Sequence, residues 1–213
     1  MVKNIVFDLG GVLIDFKPEI YLARLGYGKE KIELYTKTVF WGKEWYAYNA
    51  SKYDAKETEE ILVKHYPEFS KDIQKIFQEI DYQYILFEMP DTVQYLKELK
   101  EQDKRIYVLS DLSEDSYNYN KKFDFFHDVE GGVYSFKVGT TKPDKKNYET
   151  LLETYNLIPE ETIFIDDNIT NVEAANELGI RGVHFTTLEE VKQKVDDIQK
   201  ELANKNIEER ERE

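Results

Sequence analysis

The sequence has no cysteine and only three histidines among its 213 residues. The absence of cysteine excludes disulfides, thiolate nucleophiles, iron–sulfur clusters and thiolate-ligated zinc. His65, His127 and His184 are scattered along the chain and form no imidazole cluster for zinc. None of them has a partner nearby in the sequence, so we expect them to be hydrogen-bonded or solvated rather than catalytic.

Positive charge is scarce, with 29 Lys and Arg against 43 Asp and Glu and a net charge of −14. Nucleic acids and anionic membranes bind basic surfaces, so we expect neither as a partner. No apolar run approaches the roughly 20 residues of a membrane span. The first run, residues 5–7, ends at Asp8 and is too short for the core of a signal peptide. A chain without cysteine is compatible with a reducing cytoplasm, and we expect a cytoplasmic location.

The N-terminal segment has the pattern of a buried strand followed by a tight turn. Residues 3–8 are mostly apolar and β-prone, and Gly10 and Gly11 then turn the chain before a second apolar piece at residues 12–14. The pattern changes between residues 17 and 88, where segments 30–48, 55–65 and 71–87 have helical spacing.

This helical region is rich in aromatic residues. Trp41 and Trp45 are four residues apart, which predicts a shared helix face that packs in the core, with contact to a substrate as the alternative. Four tyrosines leave two interpretations open, because they can present rings and hydroxyls to a polar ligand or pack in the core of this region. They are Tyr35, Tyr46, Tyr48 and Tyr53.

From residue 89 onward, strands and helices alternate. Segments 105–110, 161–166 and 181–185 are typical of buried strands, whereas 91–102, 147–155 and 171–178 have helical spacing. Asp91 is the expected N-cap of the first of these helices and Gly179 the expected C-cap of the last. The alternation predicts a mostly parallel sheet covered on both faces, with its chemistry at the carboxyl ends of the strands. From residue 189 a charged helix is expected to fade into a solvated tail.

Polar groups follow apolar runs at four points of the chain. One such event is ordinary turn chemistry, but four in this order are hard to explain in that way. The four are Asp8, Ser110 with Asp111, Thr141-Lys142-Pro143, and Asp166 with Asp167.

The four motifs resemble those of the haloacid dehalogenase-like (HAD) hydrolase superfamily. They read Ile-Val-Phe-Asp8-Leu-Gly10, Val-Leu-Ser110, Lys142-Pro-Asp, and Phe-Ile-Asp166-Asp167-Asn-Ile-Thr-Asn171. The resemblance implies an α/β fold with a Rossmann-like parallel-sheet core, made of residues 1–16 and 89–213. Residues 17–88 would form the small helical cap that this superfamily inserts after its first motif.

The resemblance also implies an Mg²⁺-dependent phosphatase that acts on a small phosphorylated metabolite, such as a sugar phosphate. Asp8 would be the nucleophile and form an aspartyl-phosphate. At about 4 Å and an effective dielectric constant of 20, each pair of like unit charges repels by about 4 kcal/mol, so a dication and a lysine are needed. The implied metal ligands are Asp8, the Gly10 carbonyl, Asp166 and Asp167, with Asn171 bonded inside this acidic cluster. The implied phosphate-binding groups are Gly11, Ser110, Asp111 and Lys142, with Ser110 and Lys142 also counted as catalytic.

One position departs from the pattern of the typical superfamily phosphatase. The aspartate that serves as general acid and base, two residues after the nucleophile, is Gly10 here. Such a group contributes about 10²–10⁴-fold to rate, and Asp15 or a cap residue is the available substitute. Two rivals remain: a metal-independent 2-haloacid dehalogenase, which lacks the acidic fourth motif kept here, and a non-catalytic protein that binds phosphate ligands.

Overall fold

The computed structural model describes residues 1–210, with side chains described as far as Lys205. The strands are β1 (Asn4–Phe7), β2 (Ile14–Phe16), β3 (Leu86–Glu88), β4 (Arg105–Ser110), β5 (Gly131–Tyr134), β6 (Thr162–Asp166) and β7 (Arg181–His184). The α-helices are α1 (Pro18–Arg24), α2 (Lys29–Tyr35), α3 (Lys43–Asn49), α4 (Ala55–His65), α5 (Ser70–Gln78), α6 (Pro90–Glu101), α7 (Glu114–Asn120), α8 (Ser135–Val138), α9 (Lys145–Tyr155), α10 (Ile169–Glu177) and α11 (Leu188–Arg210). None of the described helices is both long enough and apolar enough to cross a membrane.

The core is a five-stranded parallel sheet in the order β5-β4-β1-β6-β7. All four residues of β1 are buried, because this strand lies in the middle of the sheet. Alternate residues of β1 enter separate clusters: Ile5 and Phe7 pack in the larger one and Val6 in the smaller one. Since successive side chains of a strand point to opposite faces, both faces of the sheet are covered. The parallel sheet with both faces covered is the one that the strand–helix alternation predicts, and its α/β architecture is the Rossmann-like one that the family resemblance implies.

Strand β5 was not predicted from the sequence. It begins with Gly131 and Gly132, and glycine, unlike the β-branched residues, does not indicate a strand. A Cβ on Gly131 would lie 2.4 Å from the ring of Tyr155, so the glycine lets helix α9 approach the sheet closely. The reason for the glycine is a contact between distant segments, which local sequence patterns do not reveal.

A second, two-stranded sheet joins the two ends of the region between residues 17 and 88. Strand β2 pairs antiparallel with β3, with Asp15 opposite Phe87 and Phe16 opposite Leu86. The predicted helix over 71–87 is therefore wrong at its C-terminal end, because α5 ends at Gln78 and Phe87 belongs to β3. Pairing with β2, more than 70 residues away, overrides the local helical spacing there.

The predicted helix over 30–48 is also interrupted. A π-helical turn (Thr36–Phe40) follows α2, and α3 begins only at Lys43. Trp41 lies in the break between them, so the two tryptophans do not share a helix face. Trp45 is 5% exposed, as expected for the core, but Trp41 is 52% exposed, and its predicted burial is wrong.

Of the two predicted helix caps, one lies at a different residue, and the C-terminal helix is more buried than predicted. The N-cap of α6 is Met89 rather than Asp91, because Pro90 occupies the first helical position. Gly179, at φ +81°, directly follows the C-cap of α10, where a left-handed residue ends a helix. The end of the predicted tail, residues 211–213, lies outside the described part. The preceding helix α11 is not merely solvated, since it buries a stripe of four apolar residues. The stripe consists of Val191, Val195, Ile198 and Leu202.

Candidate active site

Three of the four predicted motifs meet because their strands are neighbours. Strand β1 lies between β4 and β6, and all three run in the same direction. Asp8 directly follows β1, Ser110 ends β4 and Asp166 ends β6. Their side chains therefore gather at one edge of the sheet, at the carboxyl ends of its strands.

Three carboxylates form a compact cluster at this edge. Asp8, Asp166 and Asp167 each place one carboxylate oxygen so that all three oxygens lie within 4.8 Å of one another. Burial raises the pKa of Asp8 to about 8; the charge of Lys142 opposes this effect, and that of Asp166 adds to it. Burial and the charge of Asp166 also raise the pKa of Asp167. Close carboxylates of this kind are acceptable in their charged forms only beside positive charge.

Lys142 brings one positive charge into this cluster. Its Nζ lies 2.6 Å from Asp166 Oδ2 and 3.0 Å from Asp8 Oδ2, and it also donates to the carbonyl oxygen of Leu109. Lys142 follows β5 and α8 and precedes α9, so its motif reaches the site from a loop rather than from a strand end. One lysine and three carboxylates leave the cluster with an excess of negative charge when all are ionised.

Asp111 positions the lysine rather than facing the other acids. Both of its carboxylate oxygens accept the backbone N–H of Lys142, at 3.0 and 3.1 Å. Burial raises the pKa of Asp111 to about 6, and the charge and the amide of Lys142 oppose this shift. Asp111 therefore ties the end of β4 to the loop that carries Lys142.

Asn171 lies inside the acidic cluster. Its Nδ2 donates to both oxygens of Asp166, at 3.0 and 3.1 Å. Asp166 Oδ1 also accepts the backbone N–H of Asn168, which is the N-cap of α10. Asn168 thus caps this helix, and both oxygens of Asp166 are already hydrogen-bonded within the protein.

The two glycines after Asp8 differ in their surroundings. Gly11 has φ +73°, and a Cβ there would lie 2.3 Å from Asp167 Oδ2, so this position brings the backbone against the carboxylate. The amide of Gly11 donates to the carbonyl of Ile14. A Cβ on Gly10 would meet no described atom within 4 Å, so a side chain fits at that position.

A cavity of about 410 Å³ opens over the cluster. The predicted site residues on its wall are Asp8, Gly10, Gly11, Ser110, Asp111, Lys142, Asp167 and Asn171. Its other side is formed by residues that the sequence did not single out as functional, among them Phe16, Asn49, Ser116 and Asn120. No motif marks these residues, because Phe16 on β2, Asn49 on α3, and Ser116 and Asn120 on α7 reach the cavity only through the packing of separate elements.

Some aromatic residues of the region between residues 17 and 88 border the cavity, where a ligand can contact them, and others pack in the core. Trp41, Trp45 and Tyr46 line the cavity. Tyr35 and Tyr48 are buried, and Tyr48 donates to Asp115. Tyr53 is exposed and lies outside the cavity wall.

Other titratable groups near the site have partners of their own. Asp15 lines the cavity and pairs with Lys17 at 2.7 Å. His184 Nε2 lies 2.9 Å from the backbone oxygen of Asp167, and His65 pairs with Glu44, neither of which lines the cavity. These two histidines are hydrogen-bonded, as expected from their isolation in the sequence.

Known proteins that are similar in sequence to this chain include two phosphatases and a cyclase. It is 26% identical over 191 residues to the sesquiterpene phosphatase astK of Aspergillus oryzae, covering 86% of this chain and 90% of that protein. It is 26% identical to drimenol cyclase drtB of Aspergillus calidoustus, covering 96% of this chain but only 36% of that longer protein. It is 25% identical to the D-ribitol-5-phosphate phosphatase of Bacteroides thetaiotaomicron, covering 84% of this chain and 89% of that protein.

Solved structures share the fold at lower identity. The HAD family enzyme bt-2542 of Bacteroides thetaiotaomicron, in complex with magnesium and inorganic phosphate, is 20% identical, with a TM-score of 0.64 over 86% of this chain and 94% of that one. The L-2-haloacid dehalogenase of Xanthobacter autotrophicus, with covalently bound chloropropionic acid, is 20% identical. Its TM-score is 0.67, and the match covers 91% of this chain and 82% of that one. The fold alone therefore does not separate phosphate chemistry from dehalogenation.

A sequence profile described as haloacid dehalogenase-like hydrolase matches residues 2–179, which is most of the chain. The match spans the strands β1, β4 and β6 and all the side chains of the carboxylate cluster. The chain belongs to the haloacid dehalogenase-like hydrolase family.

Proposed function

We propose that this protein is an Mg²⁺-dependent phosphatase that hydrolyses phosphate monoesters of small molecules through Asp8. The observation that carries the proposal is the cluster of Asp8, Asp166 and Asp167, with oxygens within 4.8 Å of one another and Lys142 Nζ 3.0 Å from Asp8. A metal-independent dehalogenase has no use for three close carboxylates. The two relatives named as phosphatases, which the chain covers over 90% and 89% of their lengths, support the same chemistry.

The residues of the cluster fit a magnesium ion. Their donors are hard carboxylate oxygens, which Mg²⁺ prefers, and Lys142 offsets only part of their negative charge. We propose Asp8, Asp167 and the Gly10 carbonyl as ligands. Asp166 would either bind the ion through a remaining lone pair or support the site indirectly, by holding Lys142 and Asn171 in place. Bound Mg²⁺ would supply positive charge that offsets the repulsion between Asp8 and an anionic ester.

The proposed reaction has two steps on Asp8. An Asp8 carboxylate oxygen bonds to phosphorus while the ester P–O bond breaks, and the leaving oxygen takes a proton from water to become the alcohol. Water then attacks the phosphorus of the aspartyl-phosphate, which releases inorganic phosphate and restores the carboxylate. We propose that Lys142 holds charge beside the phosphoryl group and that the hydroxyl of Ser110 and the turn at Gly11 contact its oxygens.

We further propose that residues 17–88 act as a cap on a core made of residues 1–16 and 89–213. The segments that carry Trp41, Tyr46 and Asn49 border the same cavity as Asp8. A cap in this place would exclude water and contact the alcohol part of the ester. The two phosphatase relatives are named for very different alcohols, a sesquiterpene and a polyol, so their names do not settle which alcohol this site takes.

A phosphate-release assay tests the proposal. The purified protein is incubated with a panel of phosphate monoesters in Mg²⁺ or in EDTA, and we expect release that requires the metal. Asp8→Asn should lower the rate at least about 10³-fold without unfolding the protein. Asp103→Asn is the matched control, since Asp103 is an exposed turn residue at φ +58° that asparagine tolerates.

Three results would overturn the proposal. One is halide release from 2-chloropropionate in EDTA without phosphate release from any ester, which indicates a dehalogenase. Another is binding of phosphate in calorimetry with no turnover across the panel, which indicates a non-catalytic binding protein. The third is full activity in Asp8→Asn, which removes Asp8 as the nucleophile.

A further inference from the structure

An exposed tryptophan stands at the cavity over the carboxylate cluster. Trp41 is 52% exposed, and it lines the same cavity as Asp8, Ser110 and Lys142. Its ring lies against Phe16 in an edge-to-face contact, with the centroids 5.3 Å apart. A large aromatic surface left open beside reactive groups calls for an explanation in terms of a ligand, because folding alone would favour its burial.

The backbone holds Trp41 in this place. The π-helical turn ends with the amide of Trp41 donating to the carbonyl of Thr36. A Cβ on Gly42 would lie 2.4 Å from the carbonyl oxygen of Thr38, so a glycine is needed for the chain to turn back here. Turns of this kind are frequent at functional sites. The consequence is that Trp41 is directed out of the helical core instead of joining Trp45 inside it.

Phe16, Trp41 and Trp45 together form a surface that we name the aromatic shelf. Phe16 contacts both tryptophans, with centroids 5.3 Å from Trp41 and 6.2 Å from Trp45. Phe16 belongs to β2, the strand that follows the loop after Asp8. Phe16 therefore ties the shelf to the segment that carries the nucleophile, whereas Trp41 and Trp45 come from the inserted helical region.

The charges around the cavity restrict what can lie on the shelf. Among the described residues that line it, Lys142 is the single cation, and it is already paired with Asp8 and Asp166. Within this cavity, a second phosphate or a carboxylate on the substrate would thus meet no free positive charge and several acids. Lys29 and Lys37 border Trp41 in a separate cavity. Ser116 and Asn120 are buried, and Asn120 Nδ2 donates to Ser116 Oγ, so Asn120 Oδ1 is the one acceptor of this pair left without a partner in the described part of the chain.

We propose that the site selects monophosphate esters of uncharged, apolar alcohols and that the alcohol packs on the aromatic shelf against Trp41. This inference rests on the proposed phosphatase function and adds the substrate class to it. An apolar alcohol gains from removing its surface and that of the ring from water. A polyol would have to exchange its hydrogen bonds with water for contacts with rings.

Benzyl phosphate and ribitol 5-phosphate test the proposal, because both are esters of primary alcohols and differ mainly in the polarity of the alcohol. We expect the wild-type protein to have the higher kcat/KM for benzyl phosphate. Trp41→Ala should lower the preference for benzyl phosphate about tenfold, chiefly by raising its KM, as expected for lost apolar contact. Trp41→Phe should restore most of the preference. Tyr53→Ala removes an exposed aromatic ring outside the cavity and should leave the preference unchanged.

A binding measurement keeps this inference separate from the phosphatase proposal. Calorimetry of the wild-type protein in Mg²⁺ compares benzylphosphonate with 2-hydroxyethylphosphonate, neither of which can be hydrolysed at the P–C bond. Two outcomes would overturn the inference without contradicting the phosphatase function. One is hydrolysis with a preference for ribitol 5-phosphate, and the other is a Trp41→Ala variant that keeps the wild-type preference. If no ester is hydrolysed, the function fails. The inference then holds only if benzylphosphonate binds more tightly and Trp41→Ala abolishes the difference.

Discussion

Lys142 Nζ lies 2.6 Å from Asp166 Oδ2, and this ion pair is almost completely buried, with side-chain exposures of 1% and 0%. Burial alone would lower the pKa of Lys142, but the charges of Asp8 and Asp166 outweigh that effect and raise it. The lysine therefore stays charged inside the protein. Lys142 forms ion pairs with two acids that follow different strands, Asp8 and Asp166, so this lysine links the first motif to the fourth.

Lys142→Met should destabilise the metal-free protein strongly. Removing one partner of a buried ion pair leaves an uncompensated charge and typically costs about 3–5 kcal/mol. We expect Mg²⁺ to recover part of this loss, because a dication at the cluster offsets the same carboxylates. Urea unfolding in EDTA and in Mg²⁺ measures both effects. Lys145→Met, which removes an exposed pair with Glu177, is the control; equal stability of the two variants in EDTA would contradict the prediction.

Gly11→Ala should weaken magnesium binding. The new methyl group would lie 2.3 Å from the present position of Asp167 Oδ2, so the carboxylate has to move. We expect the Mg²⁺ concentration for half-maximal activity to rise about tenfold or more, which corresponds to about 1.4 kcal/mol of binding free energy. Gly26→Ala is the matched control, since Gly26 has a similar φ of +88° but nothing within 4 Å of an added Cβ. An equal rise in both variants would point to backbone strain instead of a clash with Asp167.

Gly10→Asp should accelerate the hydrolysis of esters with poor leaving groups. The typical superfamily phosphatase carries its general acid at this position, and a side chain fits here without a clash. We expect kcat for alkyl phosphates to rise by roughly tenfold to 10³-fold. The rate for p-nitrophenyl phosphate should change little, because its leaving group needs no proton. Gly10→Asn serves as the uncharged control, and an equal gain in that variant would show that proton transfer is not the cause.

Asp72→Asn should destabilise the helical region in a pH-dependent way. Asp72 accepts hydrogen bonds from Lys31 and Tyr35, which join α5 to α2. Burial alone would raise the pKa of Asp72, but these bonds outweigh it and lower the pKa. A lowered carboxyl pKa adds stability above the unfolded pKa of about 4, and this stability is lost as the pH falls through the folded pKa.

Urea unfolding at pH 7 and pH 3 measures this effect. We expect Asp72→Asn to be less stable than the wild type by about 1 kcal/mol at pH 7 and the difference to shrink at pH 3. Asp103→Asn, on an exposed turn, provides the comparison. A difference of the same size at both pH values would show that the charge of Asp72 is not responsible.

The buried strands and the motif residues after them were predictable because each depends on a short stretch of chain. Residues 106–109 of β4 are apolar, since an inner parallel strand is covered on both faces, and the polar Ser110 and Asp111 follow them. The boundaries of β4, β6 and β7 agree with the predictions to within a residue. The roles of Asp8, Ser110, Lys142 and Asp167 in catalysis and metal binding remain predictions that the experiments above test.

The errors occur where distant segments override local spacing. Phe87 has helical spacing with its neighbours but pairs with Asp15 across the two-stranded sheet. Trp41 is four residues from Trp45, yet a π-helical turn and Gly42 place it at the cavity. A contact between distant segments that the sequence did not predict joins Asp111 to the backbone of Lys142, 31 residues away; the role of Asp111 in phosphate binding stays a prediction.

The sequence by itself determined which chemical groups the protein can use: carboxylates after two strands, a hydroxyl after a third, a lysine before a helix, and no thiol. Only the tertiary structure decided which of these groups meet, which acid holds the lysine, and that an aromatic shelf borders the same cavity. The physical reason is that strand order and the packing of the inserted helices depend on contacts between residues far apart in the chain. Such contacts become favourable only when the whole sheet and its covering helices have formed.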